Sequence, residues 1–285
     1  MGRLDGKVCV VTGAGNAGGI GFATALKFAE EGAKAVIITC RPGASKLSLA
    51  EDLARTIHAK ATETLALEAE ASDEPATKGV FEEVVRRWGR LDVVVANAGY
   101  GGTNLDETPF TAISEEEMMV SLRTNVLHPF FCIKHATPAM EALGGGKTVP
   151  GGSIIINGSA AGVPMLGARL SADYTASKAA ANSLAETASY QLASQRIRVT
   201  SIATSAIESA MTSDRIDNVI EFTAKAPGVG RTGKPEEVAN VIAFLASDES
   251  SYVSGATWLI HGGMDSAIPM YIKQKPGLPP RFRLD

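Results

Sequence analysis

The stretch that decides the fold is residues 8–21, VCVVTGAGNAGGIG. Four apolar residues predict a short buried strand, and the glycine-rich turn after Thr12 leads directly into apolar residues at three- and four-residue spacing, which predict a helix. A turn of this kind lets the backbone approach a pyrophosphate closely and directs the free N–H groups of the helix start towards it. Glycine clusters also form ordinary surface turns, so it is the strand and helix on either side that favour a nucleotide site.

Short apolar runs alternate with amphipathic stretches of helix length along the rest of the chain. This is the pattern of βαβ units, and it predicts a parallel sheet that is covered by helices on both faces. The predicted strands are Val8–Thr12, Ala35–Thr39, Thr64–Ala69, Asp92–Ala96, Ser153–Asn157, Arg198–Ala203 and Thr257–Ile260. The predicted helices are Gly21–Glu31, Ser45–His58, Glu74–Trp88, Glu115–Glu141 with a possible break near Asn125, Tyr174–Ala193 and Pro235–Ala246.

No break in composition divides the chain. We therefore expect an α/β protein with one doubly wound Rossmann domain over residues 1–265, built on a seven-stranded parallel sheet, followed by a C-terminal tail at 266–285. The content of 45 % apolar residues and 29 glycines suits such a domain, because it supplies a large core and many tight turns.

The charge of the chain narrows the range of partners. A formal net charge of -4 gives no basic surface for nucleic acid or for an anionic membrane. No apolar run approaches the ~18 residues of a membrane span, and no signal peptide is evident at the N-terminus, so we expect a cytoplasmic protein.

Cysteine and histidine spacing gives no indication of a metal site. The three cysteines, Cys9, Cys40 and Cys132, are widely separated and are interpreted as reduced structural thiols. The four histidines share no metal-ligand spacing and are interpreted as structural or solvated; they are His58, His128, His135 and His261.

The end of the second predicted strand bears on the choice of cofactor. In a nucleotide-binding α/β fold this position meets the adenosine ribose, where an acid binds the hydroxyls of NAD and a cation accommodates the extra phosphate of NADP. Here the strand is followed by Cys40 and Arg41, without an acid. A guanidinium binds phosphate through paired hydrogen bonds, so Arg41 favours NADP(H). The alternative is that Arg41 is a solvated turn residue.

Two side chains on one predicted helix point to acid–base chemistry. Tyr174 and Lys178 are four residues apart and therefore lie on the same helical face. A nearby ammonium favours the phenolate form of a tyrosine and lowers its pKa, so the hydroxyl could exchange a proton with a bound oxygen. Ser159 follows the fifth predicted strand, at the edge of the sheet where active residues gather. Each of these residues alone has an ordinary explanation, as part of an amphipathic face or as a turn residue.

Together these features resemble the short-chain dehydrogenase/reductase family, over about Gly6 to Gly263. The glycine turn is similar to the family's Thr-Gly-x-x-x-Gly-x-Gly segment with two inserted residues, and Tyr174-x-x-x-Lys178 and Asn97-Ala98-Gly99 match two further motifs. Thr204 and Ser205 stand where the family has Pro-Gly, and Glu70 replaces the usual Asp of the segment beside the adenine.

The resemblance implies a role for each matching residue. Tyr174 would be the acid/base, Lys178 would bind the ribose and tune the phenol, Ser159 would hold the substrate oxygen, and Asn125 would maintain a water chain. Besides Tyr174 and Lys178, the implied cofactor-binding residues are Gly13, Asn16, Gly19, Ile20, Arg41, Glu70, Ala71, Asn97, Gly99, Ile207 and Ser209.

The implied activity is the interconversion of a ketone and a secondary alcohol on a medium-sized, mostly apolar small molecule, with NADP(H) as cofactor. Family resemblance also implies a homodimer or homotetramer. One alternative is a nucleotide-binding protein of the same fold without a redox role. Another is an enoyl-type reductase, which the spacing of the glycine turn resembles and against which the four-residue interval between Tyr174 and Lys178 argues.

Overall fold

The computed structural model describes residues 2–58, 60–102, 108–164, 170–209, 211–213, 216–225 and 228–263. The strands within them are β1 Val8–Val11, β2 Ala35–Cys40, β3 Glu63–Glu68, β4 Val93–Ala96, β5 Gly152–Asn157, β6 Ile197–Thr204 and β7 Thr257–Ile260. The α-helices are α1 Ile20–Glu30, α2 Ala44–His58, α3 Glu74–Trp88, α4 Glu115–Leu122, α5 His128–Glu141, α6 Ala172–Gln191, α7 Ile216–Lys225 and α8 Pro235–Ala246.

All seven strands are parallel and lie in the order β3-β2-β1-β4-β5-β6-β7. The order reverses between β1 and β4, which pair with each other although two strands and three helices separate them along the chain. In an open parallel sheet a crevice forms at such a reversal, beyond the carboxyl ends of the strands. The predicted α/β fold with a seven-stranded parallel sheet is confirmed.

The hydrophobic core lies on both faces of the sheet. Side chains of a strand alternate between faces, so in β1 Cys9 and Val11 pack with α1, α2 and α8, whereas Val8 and Val10 pack with α3, α5 and α6. All four are fully buried. This explains why the strand is apolar at every position rather than at every second one.

The predicted helix over Glu115–Glu141 is interrupted as expected near Asn125. A capping box between Ser114 and Glu117 begins α4, and a wide π-helical turn, Arg123–Leu127, separates α4 from α5. Helix α7 is not among the predicted helices. The proposed domain limit at 265 and the tail lie outside the described residues.

The described helices include none that combines the length and the apolar character needed to cross a bilayer. Cys9, Cys40 and Cys132 are all buried free thiols, in agreement with the interpretation from their spacing.

A buried ammonium closes the amino edge of the sheet. Lys147 donates hydrogen bonds to the carbonyl oxygens of Leu91, Met140 and Gly151 at 2.6, 2.6 and 2.7 Å, and its Nζ lies 3.7 Å from a carboxylate oxygen of Asp92. Burial lowers the pKa of Lys147 against the attraction of Asp92. The connection between α5 and β5 is therefore anchored through its backbone.

Replacing Lys147 with Met should lower the free energy of unfolding by about 3 kcal/mol, because buried carbonyl groups lose their donor. Lys134→Met is the matched control: Lys134 forms an exposed ion pair with Glu74, for which about 0–1 kcal/mol is expected. Urea unfolding at one fixed protein concentration measures both. Equal losses in the two variants would contradict an anchoring role for Lys147.

Candidate active site

The hydroxyl of Thr12 organises the carboxyl edge between β1 and β4. Its Oγ1 accepts hydrogen bonds from the backbone N–H groups of Asn97 and Ala98 at 3.0 and 3.2 Å, and it lies 2.8 Å from Nε2 of His128. The oxygen is also 3.2 Å from the carbonyl oxygen of Val95. One buried side chain thus joins the start of the glycine turn to the segment after β4 and to α5.

The glycine turn has the geometry of an anion-binding loop. Gly13 has a φ of +62°, and a Cβ there would lie 2.7 Å from the Cα of Ala98, so only glycine fits. The side chain of Asn16 accepts a hydrogen bond from the N–H of Gly18 at 3.0 Å, which shapes the inserted residues. Gly19 is the N-cap of α1, and no side chain caps the helix, so the N–H groups around Ile20 are available to a bound phosphate.

Two asparagine amides continue this network under the turn. Nδ2 of Asn97 donates to the carbonyl oxygens of Thr12 and Gly13 at 2.8 and 3.2 Å, and Oδ1 of Asn97 accepts from Nδ2 of Asn157 at 2.9 Å. The ends of β1, β4 and β5 are therefore linked by side chains. Oδ1 of Asn157 is buried without a hydrogen-bond partner among the described residues.

The residues predicted for the adenosine end lie at the ends of β2 and β3. Arg41 is exposed directly after β2. The nearby carboxylate of Glu68 accepts a hydrogen bond from the N–H of Gly43 at 2.8 Å. After β3, Ala71 is buried, whereas Glu70 is partly exposed and lies 3.3 Å from the hydroxyl of Ser72.

Helix α6 brings Tyr174 and Lys178 to the same edge. Both are buried, and Nζ of Lys178 lies 5.8 Å from the centre of the Tyr174 ring. The ammonium donates a hydrogen bond to the carbonyl oxygen of Asn157 at 2.9 Å. Burial lowers the pKa of Lys178 to about 8, so the side chain is mostly protonated at pH 7.

Asn125 lies in the π-helical turn, and both ends of its amide are bonded. Oδ1 accepts from the N–H of Tyr100 at 2.8 Å, and Nδ2 donates to the carbonyl oxygen of Tyr100 and to the hydroxyl of Ser177 at 2.9 and 3.0 Å. A Cβ on Gly99 would lie 3.4 Å from both Oδ1 of Asn125 and Nζ of Lys178. Gly99 therefore leaves open the space that these two side chains face.

Ser159 lies at the end of β5 in extended backbone and begins a short 3₁₀ helix, Ala160–Gly162. Its hydroxyl accepts a hydrogen bond from the N–H of Ala161 at 3.1 Å and lies 3.4 Å from the carbonyl oxygen of Thr204. The backbone of Gly162 packs directly against the α6 turn at Lys178. The serine segment and the α6 residues are thus brought together.

An open cleft of about 470 Å³ lies beside the glycine turn. It lies between the inserted part of the glycine turn and the chain after β6, and it is lined by Asn16, Gly18, Glu208, Ser209, Ser213 and Ile216. Ile207 is buried beside it and pairs with Gly233. The uncapped start of α1, the open space at Gly99 and this cleft fit an extended dinucleotide.

Two residues at this edge were missed as site residues. His128 follows Asn125 by three positions, a spacing that places both side chains on one side of the helix. From the sequence His128 was interpreted as structural or solvated. Asp173 directly precedes Tyr174 and accepts hydrogen bonds from the hydroxyls of Ser121 and Ser171. Burial would raise the pKa of Asp173, but these hydrogen bonds lower it below its usual value. Nothing in the sequence near Asp173 indicated partners from α4.

Two of the remaining histidines contact polar groups of nearby elements. Within the described ranges, no group of three His, Cys, Asp or Glu side chains could hold an ion. His135 contacts Glu74 at 2.8 Å and His58 contacts the carbonyl oxygen of Thr62 at 3.0 Å, which agrees with structural or solvated roles.

Acid should destabilise the fold through His128. Burial lowers its pKa to about 4 from 6.5, and the charge of Lys178 acts in the same direction, while the neighbouring Cys132 thiol is kept neutral by burial. The unfolded chain then binds the proton first, so stability is complete above pH 6.5 and is lost as the pH falls towards 4.

Between pH 7 and pH 4.5 the loss of folding stability that results from His128 amounts to about 2 kcal/mol. Unfolding curves of the wild type and of His128→Gln, recorded side by side across this range, isolate it because all other titrating groups are shared. Parallel pH profiles for the two proteins would contradict the neutral, buried state of His128.

Comparison with known proteins extends the likeness beyond single motifs. A family model described as Enoyl-(Acyl carrier protein) reductase matches residues 13–265. The 3-oxoacyl-[acyl-carrier-protein] reductase FabG of Thermotoga maritima is 36 % identical over 262 residues, which cover 92 % of this chain and 99 % of that protein. FabG of Staphylococcus aureus strain N315 is 34 % identical over 258 residues, 90 % of this chain and 98 % of its own.

A fungal relative shows a similar extent of likeness. The oxidoreductase asL5 of Sarocladium schorii is 33 % identical over 263 residues, which cover 92 % of this chain and 97 % of that protein. Coverage is nearly complete on both sides for these three relatives, so the similarity includes the glycine turn, α6 and the strands that precede them.

Proposed function

The chain belongs to the short-chain dehydrogenase/reductase family and is an oxidoreductase acting on C=O and CH–OH groups with a nicotinamide cofactor; we propose that it reduces the ketone of a 3-oxoacyl thioester with NADPH. The observation that carries this proposal is the grouping of Ser159, Tyr174, Lys178 and Asn125 beside the glycine turn. A protein that only bound nucleotide would have no need of a buried ammonium next to a phenol.

The chain's own residues handle the proton and the oxygen of the substrate. The hydroxyl of Ser159 redirects its proton from the carbonyl oxygen of Thr204 to the ketone oxygen and holds that oxygen near Tyr174, which donates its own proton to it. The positive charge of Lys178 stabilises the resulting phenolate of Tyr174. When bound, the nicotinamide supplies the hydride that the carbonyl carbon receives, and a secondary alcohol results.

Asn125 would help to restore the proton that Tyr174 loses, by holding a water molecule connected to solvent. Its amide is fixed by Tyr100 and Ser177, and its Oδ1 faces the same open space at Gly99 as Nζ of Lys178. A water in that space would be held between the two groups and would connect Lys178 to bulk solvent. This arrangement supports the role that family resemblance implies for Asn125.

The four-residue interval favours a ketone over an enoyl substrate. The name of the matching family model refers to enoyl reduction, whereas the named reductases among the relatives act on 3-oxoacyl groups. Tyr174 and Lys178 lie one helical turn apart, and Gly162, three residues after Ser159, packs against the same turn. Reduction of a ketone requires a proton donor at the carbonyl oxygen, which is bonded to the carbon that receives the hydride. The name FabG supplies the class of substrate, a 3-oxoacyl chain carried as a thioester.

Arg41 supports NADP(H) as the cofactor. It is exposed at the end of β2, where the adenosine ribose would lie, and β2 ends in Cys40 rather than in a carboxylate. The carboxylate of Glu68, which is opposite Cys40 in the register of β2 and β3, already accepts a hydrogen bond from the N–H of Gly43. The guanidinium is therefore free of a described carboxylate partner and can bind the ribose phosphate.

Exposed apolar side chains support a homodimer or homotetramer. Four of them lie close together in sequence on α4, the π-helical turn and α5, namely Met119, Val120, Leu127 and Phe130. We infer that this stretch contacts a second copy of the chain.

Tyr174→Phe should lower kcat/KM for a 3-oxoacyl thioester by about 10²- to 10⁴-fold, because the proton donor is removed while the ring remains. Tyr190→Phe is the control, since Tyr190 lies on the same helix and is 87 % exposed. Turnover is followed by the loss of NADPH absorbance, with a 2-enoyl thioester assayed in parallel. Undiminished turnover by Tyr174→Phe, or turnover of the enoyl substrate alone, would exclude the proposed reaction.

Arg41→Ala should raise the KM for NADPH by about 10- to 100-fold and leave the KM for NADH nearly unchanged, because a charge-assisted phosphate contact is worth roughly 1.5–3 kcal/mol. Arg55→Ala removes a comparable exposed charge from α2 and should change neither value. Steady-state kinetics with both cofactors measure the ratio. If Arg41→Ala raises the KM for NADH as much as the KM for NADPH, Arg41 does not recognise the phosphate.

A further inference from the structure

A buried carboxylate directly precedes the proposed proton donor and has no part in the proposed reaction. Asp173 is 3 % exposed and lies in the first turn of α6, one residue before Tyr174. Its Oδ1 accepts a hydrogen bond from the hydroxyl of Ser171, at the start of α6 itself. Its Oδ2 accepts one from the hydroxyl of Ser121, on α4. The second of these bonds crosses from one helix to another.

The bond between Ser121 and Asp173 has a counterpart one turn further along both segments. Asn125 lies four positions after Ser121, in the π-helical turn that continues α4. On α6, Ser177 lies four positions after Asp173 and accepts a hydrogen bond from Nδ2 of Asn125 at 3.0 Å. Both bonds join residues 52 positions apart, so the two segments run side by side in one register. Tyr174 lies between the two bonds, and its carbonyl oxygen accepts the hydroxyl of Ser177 at 2.8 Å.

The same carboxylate borders the segment after β4. A Cβ on Gly102 would lie 3.6 Å from Oδ2 of Asp173, so the backbone passes beside the oxygen that Ser121 binds. Two residues earlier, the N–H and the carbonyl oxygen of Tyr100 are both bonded to the amide of Asn125. The segment after β4 therefore lies against both bonds that join α6 to α4 and the π-helical turn.

We propose that Asp173 is a positioning residue for Tyr174, and that its bond to Ser121 fixes the first turn of α6 against α4. It acts through the backbone of α6 and takes no part in the proton transfer. Burial of a charged carboxylate costs free energy, and an apolar side chain of similar volume would serve packing at least as well. The inference rests on the proposed acid/base role of Tyr174 and does not depend on which ketone is reduced.

The first test compares two serines that bond the same carboxylate. Ser121→Ala removes the bond to α4 and should lower the single-turnover rate of NADPH oxidation about 10-fold, because a small displacement of a catalytic group lowers the rate steeply. Ser171→Ala removes the bond within α6 and should leave that rate within about 2-fold of the wild type, because the position of α6 against α4 is kept. Each variant loses one hydrogen bond, so the melting temperatures should fall by similar amounts.

Variants of Asp173 separate the hydrogen bonds from the charge. Asp173→Leu removes both bonds and should lower the single-turnover rate at least as much as Ser121→Ala. Asp173→Asn keeps two polar atoms, and a serine hydroxyl accepts as well as donates, so the rate should recover to within about 3-fold of the wild type. In every variant the dissociation constant of NADPH, measured by calorimetry, should stay within about 3-fold, since the glycine turn and Arg41 are unchanged.

All rates are measured on the full chain, with the substrate that the wild type reduces fastest among an acetoacetyl thioester, a cyclic ketone and an aryl ketone. Three results would overturn the positioning role: an undiminished rate in Ser121→Ala, an equal loss of rate in Ser171→Ala, or no recovery in Asp173→Asn. If Asp173→Leu does not fold, the comparison of the two serine variants decides the proposal by itself.

Tyr174→Phe in the same assay separates this inference from the proposed function. A lowered rate in Tyr174→Phe with an undiminished rate in Ser121→Ala would refute the positioning role and leave the proposed function standing. An undiminished rate in Tyr174→Phe, or no reduction of any of the three substrates by the wild type, would refute both.

Discussion

The pairing of β1 with β4 is the constraint on which the rest of the site depends. The order of the sheet reverses there, so the helices that follow the two strands diverge and leave the carboxyl ends uncovered. The hydroxyl of Thr12 holds the junction, because it accepts the N–H groups of Asn97 and Ala98 across the two strands. Loss of this contact would release the glycine turn and the segment at Gly99 together.

The polar groups at the two edges of the sheet differ in how fully they are hydrogen-bonded. At the amino edge Lys147 and Asp92 are saturated: three carbonyl groups surround the ammonium, and Arg90 and the Val8 N–H bind the carboxylate. At the carboxyl edge the N-terminus of α1 has no side-chain cap, and Oδ1 of Asn157 has no described partner. The first edge contributes stability, and the second keeps hydrogen-bonding capacity for a ligand.

A buried cation and a neutral buried imidazole lie near each other at the carboxyl edge of the sheet. Lys178 is the buried cation beside Tyr174, and it donates a hydrogen bond to the neutral carbonyl oxygen of Asn157, so its charge acts on whatever enters the space at Gly99. His128, within the same layer of side chains, is kept neutral by burial. A second positive charge there would compete with Lys178 and would disturb the acceptor role of Thr12.

The sequence by itself determined the strands, the parallel sheet and the glycine turn, because unbroken apolar runs and strand–turn–helix spacing are local properties of the chain. It also placed Tyr174 and Lys178 on one helical face. Tertiary structure decided which distant groups meet: Asp173 with Ser121, Asn157 with Asn97, and His128 with Thr12. Such contacts join residues 52 to 116 positions apart and depend on the order of strands, which no local pattern specifies.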